Sequence, residues 1–348
     1  MQKFIKKIAI ASIITSILGV LFMLPCFYIL PYQTGDLGRL GGIPFGPYDT
    51  IFKVPDFLYT ENIMDYESLK NVEILTIGDS FSQGYQIGYQ NFIGRYLNKK
   101  VSNIAISGVT TINAVKTLLE KGMIPKCKVL IIESVERKLI DNLSKKNEII
   151  DDITNHRFTY LQNHFFNSAD TVIQNRDFNF KHLTSFYKNK IGIFDKLKEL
   201  QLTVSLFTAG KYSDRLFFYT AHTDSNNDLS YTNITNTQFQ NSKAKLHVLK
   251  SLGKKHKIKI IILVAADKYD MYYDYIKDTP YPINPTLSYF SDFDTTFFIN
   301  SKNILLPHLK NGEKDIYRVN DTHWSVKAAE IVGNHLGIII NNTIDLSK

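Results

Sequence analysis

From residue 72 onward, short apolar runs alternate with segments of helical spacing, and this alternation restricts the chain to an α/β architecture on a parallel sheet. The strands are expected at 72–77, 101–106, 128–132 and in the strongly β-branched run 257–264. Apolar residues recur at helical spacing over 90–97, 111–121, 242–252 and 325–336. Repetition of this kind predicts an α/β sandwich with ligand chemistry at the carboxyl ends of the strands. The interval of about 145–240 breaks the rhythm. It is aromatic, Asn-rich and poorly periodic, and reads as an insertion or cap on the same domain. A chain of 348 residues is long enough to bury a substantial core.

A second feature precedes this domain. Residues 8–30 are almost continuously apolar, with Ser12, Thr15 and Ser16 as mild interruptions. As a helix this run is roughly 35 Å long, enough to cross a hydrocarbon core of about 30 Å. Lys3, Lys6 and Lys7 precede it, and no positive charge follows until Arg39. The positive-inside rule therefore predicts a cytoplasmic segment 1–7, a transmembrane anchor 8–30 and an extracytoplasmic remainder. A cleaved signal peptide is the competing reading, but it calls for a shorter apolar core and a small-x-small cleavage site. Residues 31–70, with Gly41-Gly42-Ile43-Pro44 and Gly46-Pro47-Tyr48, read as a juxtamembrane segment.

Composition narrows the partners. Net charge is +8, yet three of the lysines lie before the apolar run, so the folded part is only mildly basic. Without a stripe of Arg and Lys interleaved with aromatics, nucleic acid is not an expected partner. Of the two cysteines, Cys26 lies inside the apolar run and Cys127 just before an expected strand, so no disulfide between them is expected. Cys127 reads as a small core residue. His156, His164, His182, His247, His256, His308 and His335 show no paired metal-ligand spacing, and neither a metal nor a cofactor is predicted.

Two clusters suit nucleophilic chemistry. Gly78-Asp79-Ser80-Phe81-Ser82 directly follows the first strand. A serine on the turn between strand and helix is lifted clear of the sheet, and its own N–H can bind a developing oxyanion. Gly78 relieves crowding at such a turn. Asp321-Thr322-His323-Trp324-Ser325 stands just before the last helix. A serine hydroxyl is a weak nucleophile at neutral pH and needs a base, usually His, whose other ring nitrogen is fixed by a carboxylate. Asp321 is close enough in sequence to reach back to His323, and Ser325 is a natural N-cap for the helix that follows.

A Gly-Asp-Ser early and an Asp-x-His late, in that order on an α/β chain, resemble the SGNH/GDSL hydrolase superfamily. The resemblance implies a flavodoxin-like α/β/α sandwich of three layers over 71–348, with serine esterase or acyltransferase activity and Ser80, His323 and Asp321 as the catalytic triad. It also implies that Gly108, in Asn103-Ile104-Ala105-Ile106-Ser107-Gly108, adds an oxyanion N–H to that of Ser80. The chain has one residue between Asp and His where the superfamily usually has two, and it lacks the Gly-x-Asn-Asp block after the third strand. The Asp-x-His-Trp form, Glu133-Ser134-Val135-Glu136-Arg137 and Asp267-Lys268-Tyr269 are similar to motifs of the alginate O-acetyltransferase family. In the alginate enzymes the Asp-His motif precedes the serine; here it follows. This narrower likeness implies O-acetylation of a cell-surface or secreted polysaccharide, with a membrane-bound O-acyltransferase supplying acyl groups.

Asp79, Glu133, Arg137, Lys268, Tyr269 and Trp324 are the candidate substrate contacts. Arg137 paired with Glu133 or Glu136 has an equal reading as a structural ion pair, and Lys268 as an inner polar contact. His222 and Asp224 are candidates from the insertion, or a solvated loop. Three functions follow: an extracytoplasmic O-acyltransferase, an esterase with the same triad and water as acceptor, and a non-catalytic assembly subunit.

Overall fold

The computed structural model describes residues 2–28, 37, 55–63, 66–83, 85–105, 111–144, 197–208, 210–221, 223, 230–319 and 321–343. Helix α1 (Gln2–Tyr28) is apolar on every side. Ile8, Ile13 and Leu18, among its large side chains, are half or more exposed. Over Gln2–Phe22 its mean hydropathy is 1.9 and none of that stretch is buried against the rest of the chain. It is long and apolar enough to be a membrane span or a signal sequence. The helix starts ahead of the three lysines rather than at residue 8, and residues 29–30 lie outside the described chain.

The folded domain alternates strand and helix: β1 (Thr60–Asn62), β2 (Ile74–Gly78), α2 (Tyr89–Leu97), β3 (Val101–Ala105), α3 (Thr111–Glu120), β4 (Val129–Val135) and α4 (Glu136–Ser144). After β5 (Leu197–Gln201) and β6 (Arg215–Tyr219) come α5 (Asn236–His256), β7 (Lys259–Ala265), α6 (Lys268–Tyr272), β8 (Phe298–Asn300), α7 (Ser301–Lys310) and α8 (Val326–Thr343). Six strands form one sheet in the order β1-β3-β2-β4-β7-β8, and every pairing in it is parallel. Without the short edge strand β1, the remaining five run 2-1-3-4-5 in chain order, the doubly wound order of flavodoxin-like folds.

The central strands are buried on both faces, so they read as continuous rather than alternating apolar runs. Their side chains divide between two cores. Ile74, Val129, Ile131, Ile261 and Leu263 face one layer, with Phe92, Ile93, Leu305, Val332 and Leu336 from α2, α7 and α8. Leu75, Ile77, Leu130, Ile132, Ile260 and Ile262 face the other, with Leu118, Leu139, Leu246 and Leu249 from α3, α4 and α5. The result is three layers, helices on sheet on helices. The order reverses between β2 and β4, and in such sheets the crevice at that reversal is where ligands bind.

The boundaries depart from expectation where side chains cap the backbone. Helix α5 begins at Asn236 rather than 242, because Thr235 and Gln238 form a reciprocal capping box. The expected cap of α8 is present, with the Ser325 hydroxyl accepting from Ala328 N–H at 3.2 Å. Within the interval expected as an insertion, the described residues form the antiparallel hairpin β5–β6 and the start of α5. Its aromatic content has a local use: the Phe218 ring packs 4.8 Å from that of Tyr269.

Helix α8 lies close against α2 at two glycines with different neighbours. A Cβ at Gly333 would meet the Tyr89 carbonyl oxygen at 2.5 Å, whereas one at Gly337 would meet the Tyr96 ring at 2.7 Å. Alanine is favoured over glycine in a helix by about 1 kcal/mol, and overpacking typically costs about 1–3 kcal/mol. The Tyr89 carbonyl cannot swing aside, and although the Tyr96 ring can rotate, its Cβ would lie 2.9 Å from the added atom and is fixed to the backbone. Alanine at either position is therefore expected to lower stability, as measured by urea unfolding. An unchanged or raised urea midpoint in either variant would contradict this packing.

Candidate active site

Strand β2 ends at Gly78, and Ser80–Gln83 form a single 3₁₀ turn. Glycine is needed at 78 for close approach: a Cβ there would lie 2.1 Å from Ser82 Oγ and 2.4 Å from Glu133 Oε2. Glu133, 2% exposed on the neighbouring strand, accepts from Asp79 N–H at 3.0 Å and from the Ser82 hydroxyl at 2.9 Å. The Ser82 hydroxyl is also hydrogen bonded to that of Tyr89. Burial first, then the charge of Asp79, push the Glu133 carboxyl well above the usual range. Asp79 spans the gap between the strands, accepting from Phe81 N–H at 3.1 Å with one oxygen and from Val135 N–H at 2.9 Å with the other.

From the opposite side, Gln90 and Asn103 each donate to the Ser82 carbonyl at 2.9 Å. Asn103 in turn accepts from Thr76 at 2.7 Å. The turn is thus gripped on both flanks while Ser80 itself remains exposed.

His323 comes from a tight loop. An antiparallel bridge pairs Tyr317 with Trp324, and Ser325 N–H donates to the Ile316 carbonyl, a closure that holds Asp321 and His323 in place. There, the Asp321 carboxylate accepts from His323 N–H at 2.9 Å and lies 2.5 Å from ring Nδ1. The other ring nitrogen, Nε2, lies 2.7 Å from Ser80 Oγ, 243 positions away in sequence. Burial alone would raise the Asp321 carboxyl, but the hydrogen bonds and charge of His323 outweigh it and hold the group well below the usual range. The histidine is the more exposed member of the pair, its side chain 27% accessible against 7% for Asp321.

Trp324 packs under this arrangement. The Phe81 ring stands 4.7 Å from the imidazole and 5.0 Å from the indole, and Trp324 donates to the Tyr317 hydroxyl at 3.0 Å. An indole 6% exposed with its N–H engaged is a strut and not a substrate contact.

Lys268, 2% exposed, donates to the carbonyls of Arg318, Val319 and Asp321 at 2.6, 2.9 and 3.1 Å. Of its two expected readings the inner polar contact is the one found. Arg137 pairs with Asp267 rather than with Glu133 or Glu136, because Glu133 faces the Ser82 turn and Glu136 accepts from Asp267 N–H at 3.0 Å. Glu133 faces protein groups and not solvent, and Asp79, partly buried, has both carboxylate oxygens engaged by backbone N–H groups. Tyr269 donates to the Tyr281 carbonyl at 2.6 Å. With Arg137, Phe218, Tyr231, Asp270 and Thr322 it lines a narrow cleft beside His323. Gly108, His222 and Asp224 lie outside the described residues.

Sequence reading missed Asn103 and Gln90. Asn103 had a usable signal, an amide in the middle of a strand otherwise expected to be buried. It also missed the grouping of Glu136, Asp267 and Asp270, which brings one oxygen of each within 4.8 Å of the others. Arg137 offsets one of these charges. Burial and then the charge of Asp270 push Glu136 well above the usual range, and burial and then the charge of Asp267 push Asp270 up to about 7. No family model matches the chain, and no curated protein matches it.

The raised Asp270 makes a signed prediction. A carboxyl whose folded value exceeds its unfolded one stabilises the fold in acid, and that stabilisation is lost as pH rises. Here the loss runs from the ordinary 3.8 upward through about 7. Asp270→Asn retains the acceptor for Asn284 N–H and cannot ionise. Urea midpoints measured between pH 4 and pH 8 should fall less steeply in this variant than in the wild type; parallel curves would contradict the assignment.

Proposed function

We propose that this chain is a membrane-anchored serine O-acyltransferase of the SGNH type, acting on a polysaccharide hydroxyl at the extracytoplasmic face. The observation that carries the reading is the continuous chain Ser80 Oγ, His323 Nε2, His323 Nδ1, Asp321 Oδ1, with links of 2.7 and 2.5 Å. It supports a nucleophile, a general base and a group that fixes the tautomer and balances the imidazolium. In the first half-reaction Ser80 Oγ bonds to the acyl carbonyl carbon while His323 Nε2 takes the hydroxyl proton. The bond to the leaving group breaks and His323 returns the proton to that group. In the second, an acceptor hydroxyl attacks the Ser80 ester, His323 takes its proton, and the acyl group leaves on the acceptor as the serine is re-protonated.

The oxyanion would be met by the backbone N–H of Ser80, in a role where loss of one donor typically costs about 10²–10³ in rate. Gly108 is proposed as a second donor by family resemblance. The same resemblance supplies the glycan acceptor, the membrane-bound acyl-supplying partner and the export of the domain. Helix α1 is compatible with the anchor in length and composition.

Hydrolysis is the second reading, favoured by the exposure of Ser80, since water that reaches an acyl-enzyme competes with any sugar. Mass spectrometry of cell-surface glycan from wild-type and Ser80→Ala strains separates the two. Transfer predicts loss of O-acyl esters in the variant and hydrolysis predicts their accumulation. An unchanged ester content would contradict both.

A further inference from the structure

The serine and histidine arms reach the site from distant parts of the chain, yet one short segment touches the supports of both. At the exit of β4, Glu133 holds Asp79 N–H and the Ser82 hydroxyl, and Val135 N–H holds the Asp79 carboxylate. Directly after it, Glu136 accepts from Asp267 N–H and Arg137 pairs with the Asp267 side chain. The next residue, Lys268, extends its ammonium to the three carbonyls of the loop that ends in Asp321 and His323. An ammonium has three N–H donors and no acceptor, and three converging carbonyls suit it.

We propose that Lys268 is the positioning residue of this site, an internal cation that fixes the backbone at Arg318, Val319 and Asp321 to the exit of β4 and so sets the distance from His323 to Ser80. The proposal rests on the reading of Ser80 and His323 as nucleophile and base. Lys268 touches no reacting atom; it acts through the loop backbone. Its charge matters as well as its shape, because carbonyl dipoles brought together without a cation repel one another and the loop relaxes. Geometry at the base is demanding, and a misplacement of about 1 Å costs roughly 10²-fold in rate.

The test uses the full chain in detergent and a small fluorophosphonate probe, with the labelling rate of Ser80 as readout and His323→Ala as the floor. Lys268→Ala should label about 10²-fold more slowly than wild type while keeping its far-ultraviolet circular dichroism. Propylammonium replaces the atoms removed by this substitution and should restore most of the rate. Tetramethylammonium, equally charged but without N–H donors, should not. The downfield proton resonance of His323 Nδ1 should vanish in Lys268→Ala and return with propylammonium.

A folded Lys268→Ala that labels like wild type would overturn the proposal, as would a loss that propylammonium fails to recover or that both cations recover equally. If Lys268→Ala does not fold, Arg137→Gln loosens the same support from the β4 side. Slower labelling with an unchanged melting temperature supports the relay, and an unchanged rate contradicts it. Wild-type protein that fails to label at Ser80 would instead sink the nucleophile reading, a separate outcome.

Discussion

A buried carboxyl group occupies the gap where β2 and β4 part, and the site is built around it. Glu133 lies at the reversal of strand order, where chain segments leave the sheet in opposite directions and backbone donors would otherwise lose their partners. Its oxygen accepts from Asp79 N–H and from the Ser82 hydroxyl, both of which flank Ser80. Burial favours its neutral form, which avoids placing a full negative charge next to Asp79 at the base of the candidate nucleophile's turn. Gly78 is the counterpart of this arrangement, since any side chain there would occupy the space of the Glu133 carboxyl.

Around that fixed point the polar side chains divide by task. Gln90, Asn103 and Asp79 orient the serine turn, while Lys268 and the Tyr317–Trp324 pair support the histidine loop. Ser80 is exposed and His323 partly so, while the buried groups beneath them hold the turn and the loop in place, the pattern expected when a site's supports are rigid and its reacting atoms open. The acidic grouping of Glu136, Asp267 and Asp270 joins this framework through Arg137, and two of its members, Asp267 and Asp270, line the cleft beside His323.

Much of this was legible in the chain. The continuous apolar runs 72–77, 128–132 and 257–264 mark strands buried on both faces, and each coincides with a central strand to within a few residues. Ser80, Asp321 and His323 stood out in the sequence because nucleophilic chemistry constrains both residue type and local order, and the fold brings the three side chains together. Strands β1 and β8 were missed because three residues leave no periodicity to detect. The partners of Glu133, Lys268 and Arg137 were missed or misassigned for another reason: an ion pair such as Arg137–Asp267 spans 130 positions, and only the sheet order brings those ends together. A buried lysine bonded to backbone carbonyls has no signature at all, since carbonyls are present at every residue.

The claim on which the functional account depends is that Ser80 becomes acylated with His323 as its base. Its most direct measurement is peptide mass spectrometry of the full-length protein, quenched in acid after brief exposure to p-nitrophenyl acetate. The account predicts a single acetyl group on the peptide containing Ser80 in the wild type and none there in His323→Ala. Acetyl groups elsewhere with Ser80 unmodified, or equal modification of Ser80 in both proteins, would contradict it.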